Sequence, residues 1–181
     1  MSSFIIEGGH RLHGTIIPQG AKNEALQVLC ATLLTEDCVR IKNIPDILDV
    51  NNLIQLLADI GVEITVNGPN DMTFCARHIN ADYLQSETFY KRCSSLRGSI
   101  LLIGPCLARF GRTVVAQPGG DKIGRRRLDT HFYGISKLGA TFDYDEKLNI
   151  FNVQAPELKG TYMLLDEASV TGTANIFLAG G

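Results

Sequence analysis

The 181-residue chain lacks an excess of charge of either sign: 17 Lys and Arg stand against 19 Asp and Glu, a net charge of -2. No broad positive field is available to hold nucleic acid or an anionic membrane surface, so any anionic ligand must be bound locally. Runs of about 18 apolar residues are missing, and residues 1–9 carry no basic segment followed by a long apolar one. Neither a membrane span nor a secretory leader is expected. The five cysteines, Cys30, Cys38, Cys75, Cys93 and Cys106, are odd in number and show no CxxC spacing. They read as reduced, mostly buried thiols of a cytoplasmic protein, without disulfide or metal roles. His10, His13 and His78 have no metal-ligand spacing, and no G-x-x-x-x-G-K-[ST], G-x-G-x-x-G or H-E-x-x-H pattern occurs. The commonest nucleotide and zinc readings are thereby removed, and neither a metal nor a cofactor is expected.

What is present is a 45% hydrophobic composition, enough to bury the core of one domain or slightly more. Apolar residues alternate in residues 4–7 and 13–18, which predicts two short strands broken at Gly8-Gly9. The period then changes. Ala25, Leu26, Leu29, Cys30, Leu33 and Leu34 share one helical face, predicting an amphipathic helix over 22–35. A strand at 39–41 follows, then a helix from Asp46 or Asp49 to Ile60 closed by Gly61. Strands at 63–66 and 72–75 are joined by the turn residues 67–71.

That order recurs. A helix is expected over 94–108, a strand at 113–116, a helix at 129–138 ending at Gly139, and a strand pair at 141–144 and 149–153. The repeat length is about 75 residues, which suggests stacked copies of one supersecondary unit. A third copy opens with a strand at 161–165 and an apolar helix from Ser169 to Gly181. A helix of that kind needs further strands to complete its burial. The fold expected is a three-copy α/β domain cut inside its third copy.

Aligning the copies puts helix starts in register at Gly20-Ala-Lys22-Asn23, Ser94-Ser-Leu-Arg97 and Ser169-Val-Thr-Gly172. Helix starts expose unpaired N–H groups and partial positive charge, and Lys22 and Arg97 add full charges. Each is also readable as an ordinary cap beside a solvated base. Segment 117–131 is the richest: Pro118, Gly119, Gly120 and Gly124 make it a loop, while Arg125, Arg126 and Arg127 supply forked donors for phosphate or carboxylate. Composition alone allows a solvated basic loop equally well. Asp129 is expected to cap the following helix. Asp121, at a Gly-Gly turn, reads either as a charge-balancing carboxylate or as an acid with a raised pKa. His131 reads as a ligand-contacting group or, preferably, a helix-surface residue.

Gly20-Ala-Lys-Asn-Glu-Ala25 resembles the signature of the enolpyruvyl-UDP-N-acetylglucosamine synthases, and Pro118-Gly-Gly-x-x-Ile-Gly-x-Arg-x-x-Asp-x-His131 resembles that family's active-site loop. Asn43-Ile-Pro45 with Asp49, Leu96-Arg-Gly-Ser99, Ala108-Arg-Phe-Gly111, Leu138-Gly-Ala140 and Ala168-Ser-Val170 extend the resemblance along the chain. It implies an inside-out α/β barrel domain of the enolpyruvyl transferase type, built from βαβαββ units and incomplete over residues 21–181. Residues 1–20 would belong to a second, mostly absent domain of the same chain. It implies transfer of the enolpyruvyl group of phosphoenolpyruvate to the 3-hydroxyl of UDP-N-acetylglucosamine, with Lys22 and Asp121 catalytic. Lys22, Asn23 and Arg126 would then bind phosphoenolpyruvate. Asn23, Arg97, Arg126, Arg127, Leu128, Asp129, Thr130, Glu167, Ala168, Ser169 and Val170 would meet the UDP-sugar.

The chain departs from the family pattern at three places. Asp121 stands where most members have Cys, Thr171 where Gly is usual, and Glu167 where Lys is common. The family's second domain, with the aspartate thought to deprotonate the sugar hydroxyl, is mostly absent, so the 181-residue chain alone is expected to be inactive. A shikimate-pathway enolpyruvyl transferase and a non-catalytic UDP-sugar-binding module of the same fold are the competing readings.

Overall fold

The computed structural model describes residues 3–116 and 128–180. Helix α1 (Lys22–Ala31) buries Ala25, Leu26, Leu29 and Cys30 on one face. It tightens into a 3₁₀ turn, Thr32–Leu34, where the Thr32 hydroxyl donates to the Leu29 carbonyl at 2.7 Å. Strand β1 (Cys38–Lys42) leads to α2 (Leu48–Ile60), whose inner face is Val50, Leu53, Leu56, Leu57 and Ile60. Gly61, at φ 112°, ends that helix, its N–H and that of Val62 satisfying the Ala58 and Leu57 carbonyls. Strands β2 (Glu63–Gly68) and β3 (Asp71–Cys75) close an antiparallel sheet of order β1-β3-β2.

A linking segment carries a 3₁₀ turn (Tyr83–Gln85) and α3 (Glu87–Ser95), which Ser86 caps by accepting the Phe89 N–H. The second copy then runs through a 3₁₀ segment (Arg97–Leu102), α4 (Ile103–Phe110), β4 (Arg112–Ala116), α5 (Asp129–Lys137), β5 (Thr141–Asp145) and β6 (Ile150–Gln154). Its sheet order is β4-β6-β5, the same first-third-second order as before. Gly139 closes α5 as Gly61 closes α2, with Gly139 and Ala140 donating to Ser136 and Ile135. The repeat is therefore structural as well as sequential. Helix α6 (Val170–Ala179) packs on α4, α5 and the 3₁₀ segment, and also meets α1. Helices α1, α4 and α6 thus gather together, each copy adding a three-stranded sheet, in keeping with the α/β enolpyruvyl transferase fold. Among the described residues no helix is long and apolar enough to cross a membrane.

The structure corrects four expectations. Residues 4–7 and 13–18 form no strand and are exposed throughout, and residues 161–165 form none either. In both places short apolar runs suit a strand, but a strand exists only through ladder partners, and no described strand pairs with them. The single helix over 94–108 is instead the end of α3, a break at Leu96 (φ -124°, ψ 111°), a 3₁₀ segment and α4. Leu96 is buried, so its apolar side chain is held by packing while its backbone leaves the helix. Finally, Cys38 and Cys75 form a disulfide. They are directly opposite in the β1–β3 register with Cα atoms 4.3 Å apart, a pairing hidden by their separation of 37 in sequence. Cys30, Cys93 and Cys106 are buried free thiols, as expected.

Candidate functional site

Lys22 and Arg97 are each the first residue of their inner helical segment, after the extended residues Ala21 and Leu96. Val170 takes the same place in α6, after Ser169. Three inner helical segments therefore start near the places expected, at Lys22, Arg97 and Val170, but not in the register expected, the second beginning at Arg97 and not at Ser94. Gly98 sits so close to Leu26 that a Cβ there would lie 3.1 Å from its side chain. That contact brings the first turn after Arg97 against the first turn after Lys22.

The entry to α1 depends on Gly20, where a Cβ would fall 2.0 Å from the Asn43 carbonyl oxygen and 3.2 Å from Pro45. Only glycine lets the chain press against the turn that leads into α2. The consequence is an ion pair between the Lys22 ammonium and Asp49 in the first turn of α2, both side chains being nearly half exposed. Asp49 thereby holds the Lys22 side chain at the mouth of the helix start. Asn23, the next residue, is exposed.

A second cluster gathers at the starts of α5 and α6. Thr130 is buried, and its hydroxyl faces Asp166 Oδ1 at 3.1 Å and Glu167 Oε1 at 3.2 Å. A single hydroxyl proton serves both carboxylates. Ser169 caps α6 by accepting the Gly172 N–H at 3.1 Å. Ala168 and Val170 are exposed beside it, and Leu128 is half-buried. Asp129 is not the cap of α5: Leu128 takes the capping position and Asp129 is the first helical residue, so its carboxylate lies in the positive first turn.

His131 is the largest correction, since it is buried and not on the helix surface. Its Nδ1 lies 3.1 Å from Asn175 Nδ2 and its Nε2 3.3 Å from Thr171 Oγ1. The Asn175 Oδ1 already accepts the Gly104 N–H at 2.7 Å, so the amide nitrogen faces the ring. His131 Nδ1 is therefore the acceptor, and the imidazole proton sits on Nε2 and is donated to Thr171. Burial, and then the positive charge of Arg97, lower the His131 pKa to about 4. The ring is neutral near pH 7, and the Arg97 charge acts on this second cluster.

The structure thus joins Leu128, Asp129, Thr130, Glu167, Ala168, Ser169 and Val170 around two adjacent helix starts, with Arg97 at a third, its charge reaching His131, and Lys22 and Asn23 at a fourth. Asp121, Arg126 and Arg127 lie outside the described residues. Sequence reasoning missed Asp166 and Asn175. An asparagine inside the otherwise apolar α6 was a legible signal, because a buried amide must find partners. Among the described residues no group of three His, Cys, Asp or Glu could hold a metal ion.

The family model for EPSP synthase (3-phosphoshikimate 1-carboxyvinyltransferase) matches residues 6–181. The chain is 63% identical over 99% of its length to the UDP-N-acetylglucosamine 1-carboxyvinyltransferase of Bacteroides fragilis, and spans 41% of that protein. It is 56% identical, with the same coverage of each chain, to the protein of that name from Porphyromonas gingivalis. Among solved structures, the enolpyruvyl transferase NikO from Streptomyces tendae aligns with a TM-score of 0.70 at 20% identity, over 96% of this chain and 39% of that one. EPSP synthase from Acinetobacter baumannii aligns with a TM-score of 0.65 at 18% identity, over 92% and 38%. These two likenesses concern the fold alone.

Proposed function

The chain belongs to the EPSP synthase family of carboxyvinyltransferases, and from that premise we propose that the full-length enzyme transfers the enolpyruvyl group of phosphoenolpyruvate to the 3-hydroxyl of UDP-N-acetylglucosamine. The observation that carries the choice of acceptor is the 56–63% identity, along nearly the whole chain, to proteins named for that reaction. The same reading assigns it to the cytoplasm and to the first committed step of peptidoglycan synthesis.

In the reaction proposed, the sugar hydroxyl oxygen bonds to C2 of phosphoenolpyruvate while C3 takes a proton. The tetrahedral ketal then loses one proton of the new C3 methyl group together with phosphate, restoring the C2–C3 double bond. Asp121 is our general acid. Lys22, with Asn23 and Arg126, is assigned to phosphoenolpyruvate, where a fixed cation stabilises charge as the carbon centre rehybridises. The ion pair with Asp49 suits that task, since it fixes the ammonium before substrate arrives. Arg97 and residues 126–130 and 167–170, with Asn23, are assigned to the UDP-sugar. Asp166 and Glu167 already occupy the hydroxyl of Thr130, so a diphosphate is better met from the Arg97 side than at those carboxylates. Residues 1–20 are assigned to a second domain, which must supply the base for the sugar hydroxyl.

Phosphate release by the full-length enzyme, measured with phosphoenolpyruvate and either UDP-N-acetylglucosamine or shikimate 3-phosphate, tests the reading. Release is expected with the UDP-sugar alone. Turnover only with shikimate 3-phosphate would transfer the chain to the competing reaction, and binding without turnover would make it a sensing module. A carboxylate opens an epoxide less readily than a thiolate, so resistance to fosfomycin is also expected. Mass spectrometry finding a drug adduct on Asp121, with activity lost, would contradict that.

A further inference from the structure

We propose that Asn175 is a positioning residue for the UDP-sugar site: its buried amide fixes three helix starts against one another and, through His131, orients Thr171 at the start of α6. The proposal rests on the reading above, that Arg97, residues 128–130 and residues 167–170 meet the UDP-sugar.

Asn175 is fully buried and lies in the second turn of α6, so it does not touch ligand at the helix start itself. Every polar atom of its side chain has a partner, and each partner belongs to a different segment. Oδ1 accepts from Gly104 N at the head of α4 at 2.7 Å. Nδ2 donates to the Ile100 carbonyl at 2.9 Å and to His131 Nδ1 at 3.1 Å. An amide held at all of its groups has one orientation, and neither an apolar residue nor a flipped amide satisfies the same set. The fit is close on the other side too. A Cβ on Gly104 would lie 2.3 Å from the Asn175 carbonyl and 2.8 Å from its Oδ1, so α4 and α6 approach this far only with glycine at 104.

The partners are set near the proposed sugar contacts. Ile100 follows Arg97 within one 3₁₀ segment. His131 follows Thr130, and its Nε2–H reaches Thr171, one residue past Val170. Lys22, assigned to phosphoenolpyruvate, is tied elsewhere, to Asp49. Loss of the amide should therefore divide the two substrates, which general loss of packing would not.

The test uses the full-length enzyme with Asn175→Ala, His131→Phe and His131→Gln, titrated with UDP-N-acetylglucosamine by calorimetry and assayed for KM with each substrate. Asn175→Ala and His131→Phe are expected to weaken UDP-sugar binding about tenfold or more, leaving the KM for phosphoenolpyruvate within about twofold. His131→Gln, whose amide still donates to Thr171, is expected to recover most of that affinity. Parallel loss for both substrates would overturn the proposal, as would unchanged UDP-sugar affinity despite a lowered Tm, or Gln no better than Phe. Should Asn175→Ala fail to fold, the two His131 variants decide. A wild-type enzyme that binds no UDP-N-acetylglucosamine removes the functional premise together with this proposal, whereas wild-type binding matched by the variants removes the proposal alone.

Discussion

The two copies of the repeated unit, residues 22–75 and 97–154, share sheet order and glycine-closed helices, yet they bury different chemistry. In the first, α2 turns only apolar side chains inward: Val50, Leu53, Leu56, Leu57 and Ile60. In the second, the corresponding α5 buries Thr130 and His131 beside Gly134 and Ile135. The connections into those helices differ as well, being residues 43–47 in the first copy and 117–128 in the second. One copy is a packed scaffold whose short turn aims Lys22 and Asp49. The other gives up apolar packing for a polar network, and the longer stretch of sequence before its α5 carries Asp121. Duplication explains the division: once one unit supplies a core, its twin can carry groups that a lone core would not tolerate.

The largest expected effect separates the long connection from the short one. Asp121→Asn in the full-length enzyme keeps the shape of the side chain and removes its proton, so turnover should fall by about 10²–10⁴-fold while both substrates still bind. Steady-state rates beside binding titrations decide it, and unaltered kinetics would return Asp121 to the role of a charge-balancing carboxylate. Next in size is the cross-link that only the first sheet has. Cys38 opposes Cys75, whereas the matching positions in the second sheet are Arg112 and Gln154. Reduction should cost about 2–4 kcal/mol and speed amide exchange in β1 and β3 before β4 and β6. Alkylation of the unfolded, unreduced protein should label three thiols, the free Cys30, Cys93 and Cys106. Labelling of all five cysteines would show that the pair is not oxidised, the state a reducing cytoplasm favours.

The third contrast is pH dependence. His131, whose pKa is lowered to about 4, is neutral when folded and ionises more readily when unfolded. The unfolded chain binds more protons between about pH 6.5 and pH 4, so the stability this burial allows is lost as pH falls through that window. Between pH 7 and pH 5 the loss should be roughly 2 kcal/mol. His131→Gln should flatten the slope, because a neutral amide has nothing to ionise. Chemical melts at both pH values would show it, and an equal slope in the variant would mean that the ring is solvated and charges freely in the folded state.

How much of this was legible depended on the range of the forces involved. Helix α2 and the β2–β3 hairpin were readable because their signals are local: a 3.6-residue apolar period ending at Gly61, and turn residues between two alternating runs. The repeat was readable for the same reason, twice over. Leu96 was not, since nothing in its side chain breaks a helix; its extended backbone answers to burial against the core. The runs at 4–7, 13–18 and 161–165 are apolar enough for strands but have no described strand to pair with, and composition alone makes no ladder. At the site, Lys22 and Arg97 were legible as basic residues at helix starts. The burial of His131 depends on Asn175, 44 residues away, and the disulfide on a register 37 residues wide. No local pattern encodes either one.

The smallest effect tests the segment that has no counterpart in the first copy. Helix α3 carries Glu87 and Lys91 as an i, i+4 pair at 3.0 Å, with side chains 72% and 75% exposed. The order is the favourable one, acid before base along the helix. Even so, water screens both charges, and two long side chains must be ordered to meet. Phe89 and Cys93, by contrast, are buried in the core from the same helix. If α3 is held by that face, Lys91→Ala should change stability by only about 0.3–0.5 kcal/mol, and half-molar salt should erase the difference. A loss several times larger, surviving salt, would mean that this linking helix is anchored through its outer surface instead of its buried one.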